Sequence, residues 1–120
     1  MELPALISTL RTALESDTVH LLRERLDDVH PADLASALVE FAAQDLWTLL
    51  TVLPRSEQAE VFGYLPAEEQ VNLSINISRR KLAPIIRQMS SDERADLFNR
   101  LSDEQRETLL PALAQAERED

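Results

Sequence analysis

An apolar pattern that repeats every twelve residues constrains this chain more than any other feature of its sequence. The first apolar column consists of Val29, Phe41, Leu53, Leu65, Ile77, Met89, Leu101 and Leu113. A second column lies eight positions further on, at Ala37, Leu49, Val61, Leu73, Ile85, Leu97 and Leu109. In one continuous helix each column would move about 120° around the axis per repeat, so neither could stay buried on one face. The repeat therefore predicts units of one short helix, about eight or nine residues long, followed by a turn of about three.

Helix-start signals follow the first column in each unit. They are the segments HPAD, AAQD, PRSE, PAEE, SRRK, SSDE and SDEQ, and most combine a Pro or Ser with acids that suit the positive end of the helix dipole. The register is lost before Val29, where residues 2–15 and 18–26 are predicted to form two further helices, with Ser16 and Asp17 between them. Because helices this short are unstable alone, we expect an all-α solenoid of about nine short helices in which each unit packs against its neighbours.

Two kinds of residue interrupt the pattern. Pro84 and Pro111 fall inside predicted helices and are expected to end, kink or re-register them. Gly63, the one glycine of the chain, lies near the end of its predicted helix and is interpreted as a C-terminal cap. A single glycine also argues against β-rich folds and against phosphate-binding glycine loops.

Charge and composition exclude several functions. The formal net charge of −10, from 22 acids and 12 bases, repels nucleic acids and anionic lipid surfaces and favours cations or a basic protein face as partners. The chain has no cysteine and two histidines, so thiolate or His-rich metal sites are not expected. It carries no nucleotide-binding, HExxH or GxSxG motif, and we predict that it is not an enzyme. No apolar run approaches the ~20 residues of a membrane span, so we expect a soluble, cytoplasmic chain.

The acidic residues carry most of the functional information. Those in the first turns of predicted helices are explained by capping. Glu60 and Asp96 are different, because both occupy the same mid-helix position of the repeat, where other units have Ser, Thr, Asn or Pro. Asp92 and Asp96 are spaced i, i+4 on one helix face, so their carboxylates repel each other. A bound cation would remove this repulsion, and one or two carboxylates suffice for Mg²⁺ because it keeps several waters.

Four other features have simpler interpretations. His30 opens a helix and is interpreted as a capping or packing residue, and His20, on a short charged helix, as an exposed one. Trp47 stands in a column of small residues and is predicted to fill a gap in the core rather than to anchor a partner. The basic cluster Arg-Arg-Lys at residues 79–81 is either a solvated face or a salt-bridging patch for an acidic neighbour.

Three stretches of the sequence together resemble the N-terminal cytosolic domain of the bacterial MgtE-type magnesium transporters. They are VHPADLASAL, LTVLPRSEQAEVFGYLPAEEQ and MSSDERADLFNRLSDEQRETLLPAL, and the resemblance covers essentially the whole chain. It implies a right-handed superhelical domain that precedes a pair of CBS domains, a plug helix and a dimeric transmembrane pore. Residues 1–120 would then be one excised domain from the cytoplasmic side of the bacterial inner membrane.

The resemblance also implies a mechanism, in which the domain senses Mg²⁺ as a regulatory ion. Mg²⁺ would bridge acidic surfaces of this domain, the CBS domains and the plug helix of the same homodimeric protein, and so close the pore when Mg²⁺ is high. The metal contacts of the family correspond to Glu60 in AEV and to Asp92 and Asp96 in SSDERAD. Because the remaining ligands would come from the CBS domains, the isolated domain is expected to bind Mg²⁺ weakly or not at all.

An armadillo-like interaction scaffold is the alternative. The middle domain of the flagellar motor switch protein FliG also uses short helices and an HP-containing opening turn, and it presents a docking face to a partner ring. An exposed basic or apolar patch without convergent acids would favour this scaffold. Acids that converge on one face would favour the ion sensor.

Overall fold

The helices of the repeat begin at the predicted start signals. The computed structural model describes the backbone of residues 1–119 and the side chains of residues 1–111 and 114. Seven helices begin at intervals of twelve residues, namely α3 (Pro31–Leu38), α4 (Ala43–Leu50), α5 (Arg55–Tyr64), α6 (Ala67–Asn76), α7 (Arg79–Gln88), α8 (Ser91–Arg100) and α9 (Asp103–Glu119). This spacing confirms the helix-turn repeat that the apolar columns predict.

The N-terminal segment lies outside the repeat and is also helical. It comprises α1 (Leu3–Glu15), a 3₁₀ turn (Val19–Leu21) and the single-turn helix α2 (Leu22–Arg25). The first predicted helix is therefore confirmed, whereas the second is shorter than predicted. Asp17 reverses the chain between them in the left-handed region, with φ of 56°. Residues 1–119 thus contain nine α-helices and no strand, which confirms the all-α prediction.

The helices pack in an alternating order along the chain. The main contacts join each helix to the next but one: α1 to α3, α3 to α5, α5 to α7, α7 to α9 and α4 to α6. In addition, α6 packs on α9, three units further along. Helices such as α3, α5 and α7 therefore bury apolar residues against one helix that comes earlier in the chain and one that comes later.

Both predicted columns form the core. All seven residues of the second column are buried, from Ala37 to Leu109. In the first column Val29 and Phe41 are half-buried, and the residues from Leu53 to Leu101 are buried. Leu113 lies outside the described side chains. Each fully buried leucine contributes roughly 1.5–3 kcal/mol, so the packing supplies the stability that helices of eight to ten residues lack alone.

Four polar side chains tie consecutive helices together through main-chain carbonyls. They stand where the same repeat position holds leucine in other units, and they are Gln58, Gln70, Arg94 and Arg106. Gln58 Nε2 donates to the Leu53 carbonyl at 2.7 Å, and Gln70 Nε2 donates to the Phe62 carbonyl at 2.8 Å. The arginines donate through Nε to carbonyls of Met89 and Phe98 at 3.2 and 2.9 Å. The accepting carbonyls lie at or just after the end of the preceding helix, where intrahelical donors run out.

The interpretation of Gly63 as a helix cap is wrong. Helix α5 continues to Tyr64, and Gly63 does not have a positive φ. The chain leaves the helix instead through Leu65, which is extended with φ of −67° and ψ of 145°. Leu65 precedes Pro66, and the ring of a proline disfavours the helical conformation in the residue before it. The repeat equivalents of Leu65, at Ile77, Met89 and Leu101, are extended as well, before serines, so this helix ends as the other units do, without a left-handed glycine.

The two internal prolines do not end their helices. Helix α7 runs through Pro84 and α9 runs through Pro111. Pro84 also leaves the repeat in register, since α8 begins at Ser91, twelve residues after the start of α7. A proline at this place removes the N–H that would reach the carbonyl of Arg80. Arg80 is exposed, so water can satisfy that carbonyl.

Candidate functional site

An open groove between α5 and α8 brings Glu60 and Asp96 together. It has a volume of about 890 Å³, and its lining residues are Glu60, Gly63, Tyr64, Met89, Glu93, Asp96, Asn99 and Arg100. Gly63 and Tyr64 follow Glu60 by three and four positions on α5, and Asp96 follows Glu93 by three on α8, so each set shares one helix face. Glu60 and Asp96 are 36 residues apart in sequence, and the fold places them on the walls of one groove.

Asp92 is placed differently from the other two predicted metal contacts. It lies one turn before Asp96 on α8 and is exposed, but it is not among the residues that line the groove. The fold therefore gathers two of the three predicted residues and leaves the third one turn further along the helix. A role for Asp92 in metal binding stays a prediction.

The other charged groups of the groove are held by hydrogen bonds. Glu93 belongs to a capping box at the start of α8, where its Oε1 accepts from the Ser90 N–H at 3.3 Å and its own N–H donates to Ser90 Oγ at 3.1 Å. Arg100 Nη2 donates across the groove to the Gly63 carbonyl at 3.4 Å. Glu60, Glu93 and Asp96 are all exposed, and of these acids Glu93 is the one engaged in a helix cap.

An aromatic side chain forms part of the groove wall. Tyr64 is 55% exposed, and its ring meets the His30 ring edge-on, with 5.9 Å between centroids and 63° between planes. His30 Nδ1 accepts from the Ala32 N–H at 3.0 Å, which confirms the prediction that this histidine caps α3. No sequence pattern pointed to the contact with Tyr64, because the two residues are 34 positions apart.

The remaining residues singled out in the sequence lie away from the groove. Trp47 is half-buried against the core, as predicted, and His20 is exposed. All three residues of the basic cluster at 79–81 are exposed in the first turn of α7. Ser78 caps this helix by accepting from the Lys81 N–H. None of these residues lines the groove.

The donor set of the groove suits a hard, hydrated cation. Within the described part of the chain, no three His, Cys, Asp or Glu side chains are grouped so that they could hold a metal ion by themselves. The groove offers oxygen donors from Glu60 and Asp96, and Mg²⁺ binds through one or two carboxylates while it keeps several waters. Zn²⁺ sites in proteins are built mainly from Cys and His side chains, and neither is among the residues that line the groove. The residues present therefore fit Mg²⁺ whose remaining ligands are water or groups of another surface.

Across the described residues, the helices are too short or too polar to span a lipid bilayer.

Comparison with known proteins gives two matches. A family model described as the MgtE intracellular N domain matches residues 29–120, and this range begins at Val29, where the twelve-residue register begins. A magnesium transporter MgtE from Thermus thermophilus is 37% identical over 62 residues, which cover 52% of this chain and 14% of that transporter. The chain thus matches a small part of the length of this relative.

Proposed function

The chain belongs to the family of MgtE intracellular N domains, and from that premise we propose that it is a Mg²⁺-sensing regulatory domain of a magnesium transporter. In this proposal the groove between α5 and α8 contributes Glu60 and Asp96 as metal contacts, and Asp92 contributes a third carboxylate one turn along α8. The domain performs no catalysis. It offers a surface whose docking depends on the ion.

The observation that carries the proposal is the meeting of Glu60 and Asp96 in one groove. The repeat pattern singles out these two residues, and the fold brings them together from α5 and α8. Acids that converge on one face support an ion sensor over the armadillo-like scaffold. The described residues hold no group of three side chains that could bind a metal by themselves, which supports an ion whose coordination is completed by another surface.

Docking then follows from electrostatics. A domain of net charge −10 is repelled by an acidic partner face, and Mg²⁺ bound between the two faces replaces the repulsion with shared coordination. Because the ion binds the docked arrangement more tightly than the separated one, rising Mg²⁺ shifts the population toward the docked state. The partner faces in this proposal are the CBS domains and plug helix of the same homodimeric protein, on the cytoplasmic side of the membrane, and docking closes its pore.

Paramagnetic NMR of the 120-residue chain tests the metal site even if binding is weak. Mn²⁺ takes oxygen ligands much as Mg²⁺ does, and at low concentration it broadens the amide resonances nearest to it. We expect broadening at α5 and α8 on both sides of the groove, reversed by excess Mg²⁺. Broadening of similar size at every acidic helix start would mean a diffuse ion atmosphere and would overturn the proposed site.

Matched variants make the test specific. Glu60→Gln and Asp96→Asn keep the side-chain shape but remove one charge each, and both should reduce the broadening at the groove. Glu40→Gln removes an exposed carboxylate outside the groove and should leave the groove signals unchanged. Asp92→Asn tests separately whether the third carboxylate contributes to the broadening at the groove. If Glu60→Gln and Asp96→Asn behave like Glu40→Gln, the groove is not the ion site and the scaffold function is favoured instead.

A further inference from the structure

We infer that Arg100 is a built-in counter-cation of the groove, whose charge opposes the entry of Mg²⁺ and so sets the Mg²⁺ concentration at which the domain responds. This inference rests on the proposed function, since it concerns the regulation of the same site. Arg100 is the cationic residue among those that line the groove. The proposal assigns it a positioning and tuning role without direct contact to the ion.

The position of Arg100 on α8 places its charge beside the acids. It follows Asp96 by four residues, so both side chains share one helix face. Its Nη2 donates to the Gly63 carbonyl at 3.4 Å, and Gly63 is one turn from Glu60 on α5. The guanidinium therefore spans the groove from the helix of one proposed metal contact to the helix of the other.

A fixed positive charge at this place has two effects on a metal-free groove. It neutralises part of the repulsion between the carboxylates of the two helices, and through Gly63 it ties α8 to α5. It also repels an entering divalent cation. Without Arg100 the groove would bind Mg²⁺ more tightly, by about two- to tenfold at low ionic strength, and the gain would shrink as salt screens the charges.

Arg100 contributes little to the fold, so its charge can be removed without unfolding the chain. It is exposed, and it is the last residue of α8. At that end of a helix a cation stabilises the dipole only slightly. Arg25 is an equivalent residue outside the groove: it is exposed and is the last residue of α2. It provides a matched control for the loss of a helix-terminal cation.

The test compares Mg²⁺ competition curves of the variants. The measured quantity is the Mg²⁺ concentration that reverses half of the Mn²⁺ broadening at the groove, in buffers of low and of physiological salt. Arg100→Gln should lower this midpoint about two- to tenfold at low salt and less at high salt. Arg100→Lys keeps the charge and should stay near the unaltered chain, and Arg25→Gln should leave the midpoint unchanged.

A measurement on the unaltered chain needs no substitution. The Arg100 Nε–Hε resonance should shift during the Mg²⁺ titration, with the same midpoint, because the guanidinium lines the groove that the divalent charge enters. A merely structural role would lower the melting temperature of Arg100→Gln and leave its Mg²⁺ competition midpoint unchanged at both salt concentrations.

The outcomes separate this inference from the proposed function. If Glu60→Gln and Asp96→Asn reduce the groove signal but Arg100→Gln has the same midpoint as Arg25→Gln, the counter-cation role is wrong and the Mg²⁺ site stands. If the unaltered chain shows no broadening at the groove, the proposed site fails, and the role of Arg100 fails with it.

Discussion

Replacing Gln70 with leucine is expected to stabilise this protein, although it removes a short hydrogen bond. Gln70 is fully buried in α6, and its Nε2 donates to the Phe62 carbonyl at 2.8 Å. Its Oε1 is a buried atom without a hydrogen-bond partner in the described part of the chain. Leucine occupies the equivalent repeat position at residues 34, 46 and 82, so the site accepts that side chain.

The magnitude follows from the groups that gain or lose partners. Loss of the Nε2 hydrogen bond destabilises the fold by about 1 kcal/mol, and removal of the unpaired Oε1 eliminates a desolvation penalty of about 1–3 kcal/mol. The Phe62 carbonyl is not left bare, since it also accepts from the Leu65 N–H at 3.2 Å. Gln70→Leu should therefore raise the free energy of unfolding by about 1 kcal/mol, or the melting temperature by about 4 °C for a chain of this size.

Gln58→Leu is the matched comparison, because Gln58 holds the same repeat position one unit earlier. Its Nε2 donates to the Leu53 carbonyl at 2.7 Å, and Gln58 Oε1 is not among the stranded buried atoms. This substitution removes a hydrogen bond and does not remove an unpaired buried atom, so it should lower the free energy of unfolding by about 1–2 kcal/mol. Urea denaturation followed by circular dichroism at 222 nm measures the free energy of unfolding of both variants. If both variants shift in the same direction, the reasoning from the stranded oxygen is refuted.

Three further predictions concern the helix caps, the core and the ion. Ser90→Ala removes the cap of α8 and should lower the free energy of unfolding by about 1 kcal/mol, whereas Ser91→Ala beside it should change it by less than ~0.5 kcal/mol; urea denaturation separates the two. Leu73→Ala, at a fully buried site, should cost about 2–5 kcal/mol, and a loss under ~1 kcal/mol would contradict a core role for the second column. In a transporter that carries this domain, protection of the CBS linker from protease should need more Mg²⁺ after alanine substitution of Glu60, Asp92 or Asp96, and unchanged protection in all three would contradict the gating proposal.

The local parts of the fold were predictable because their causes are local. Helix starts depend on a few residues around the cap, and the chain repeats those signals every twelve residues. Burial of the second column follows from the same period. The prediction failed at Gly63 because it considered glycine alone. Helix α5 ends at an extended Leu65, as α6, α7 and α8 end at extended residues that precede serines, and Pro66 favours the same conformation.

The links between helices were harder to predict because they depend on the path of the superhelix. Gln58 and Gln70 interrupt a column of leucines. This interruption in the sequence was the feature that could have pointed to their hydrogen bonds with the ends of the preceding helices. The groove gave no such signal. Glu60 and Asp96 share a repeat position, but whether helices three units apart meet depends on the turn per unit, which the period does not fix.

The charges at this repeat position support a paired site over a merely solvated surface. Two pairs of helices three units apart meet in this fold: α6 packs on α9, and α5 shares a groove with α8. The residues at the shared position can therefore be compared in pairs: Ser36 with Asn72, Thr48 with Pro84, Glu60 with Asp96, and Asn72 with Thr108. Both members are acidic in one pair, and both are neutral in the other three. Acids that served solubility alone could stand at any of these exposed or half-exposed positions. Their position on two helices that face one groove fits the proposed binding of a divalent cation there.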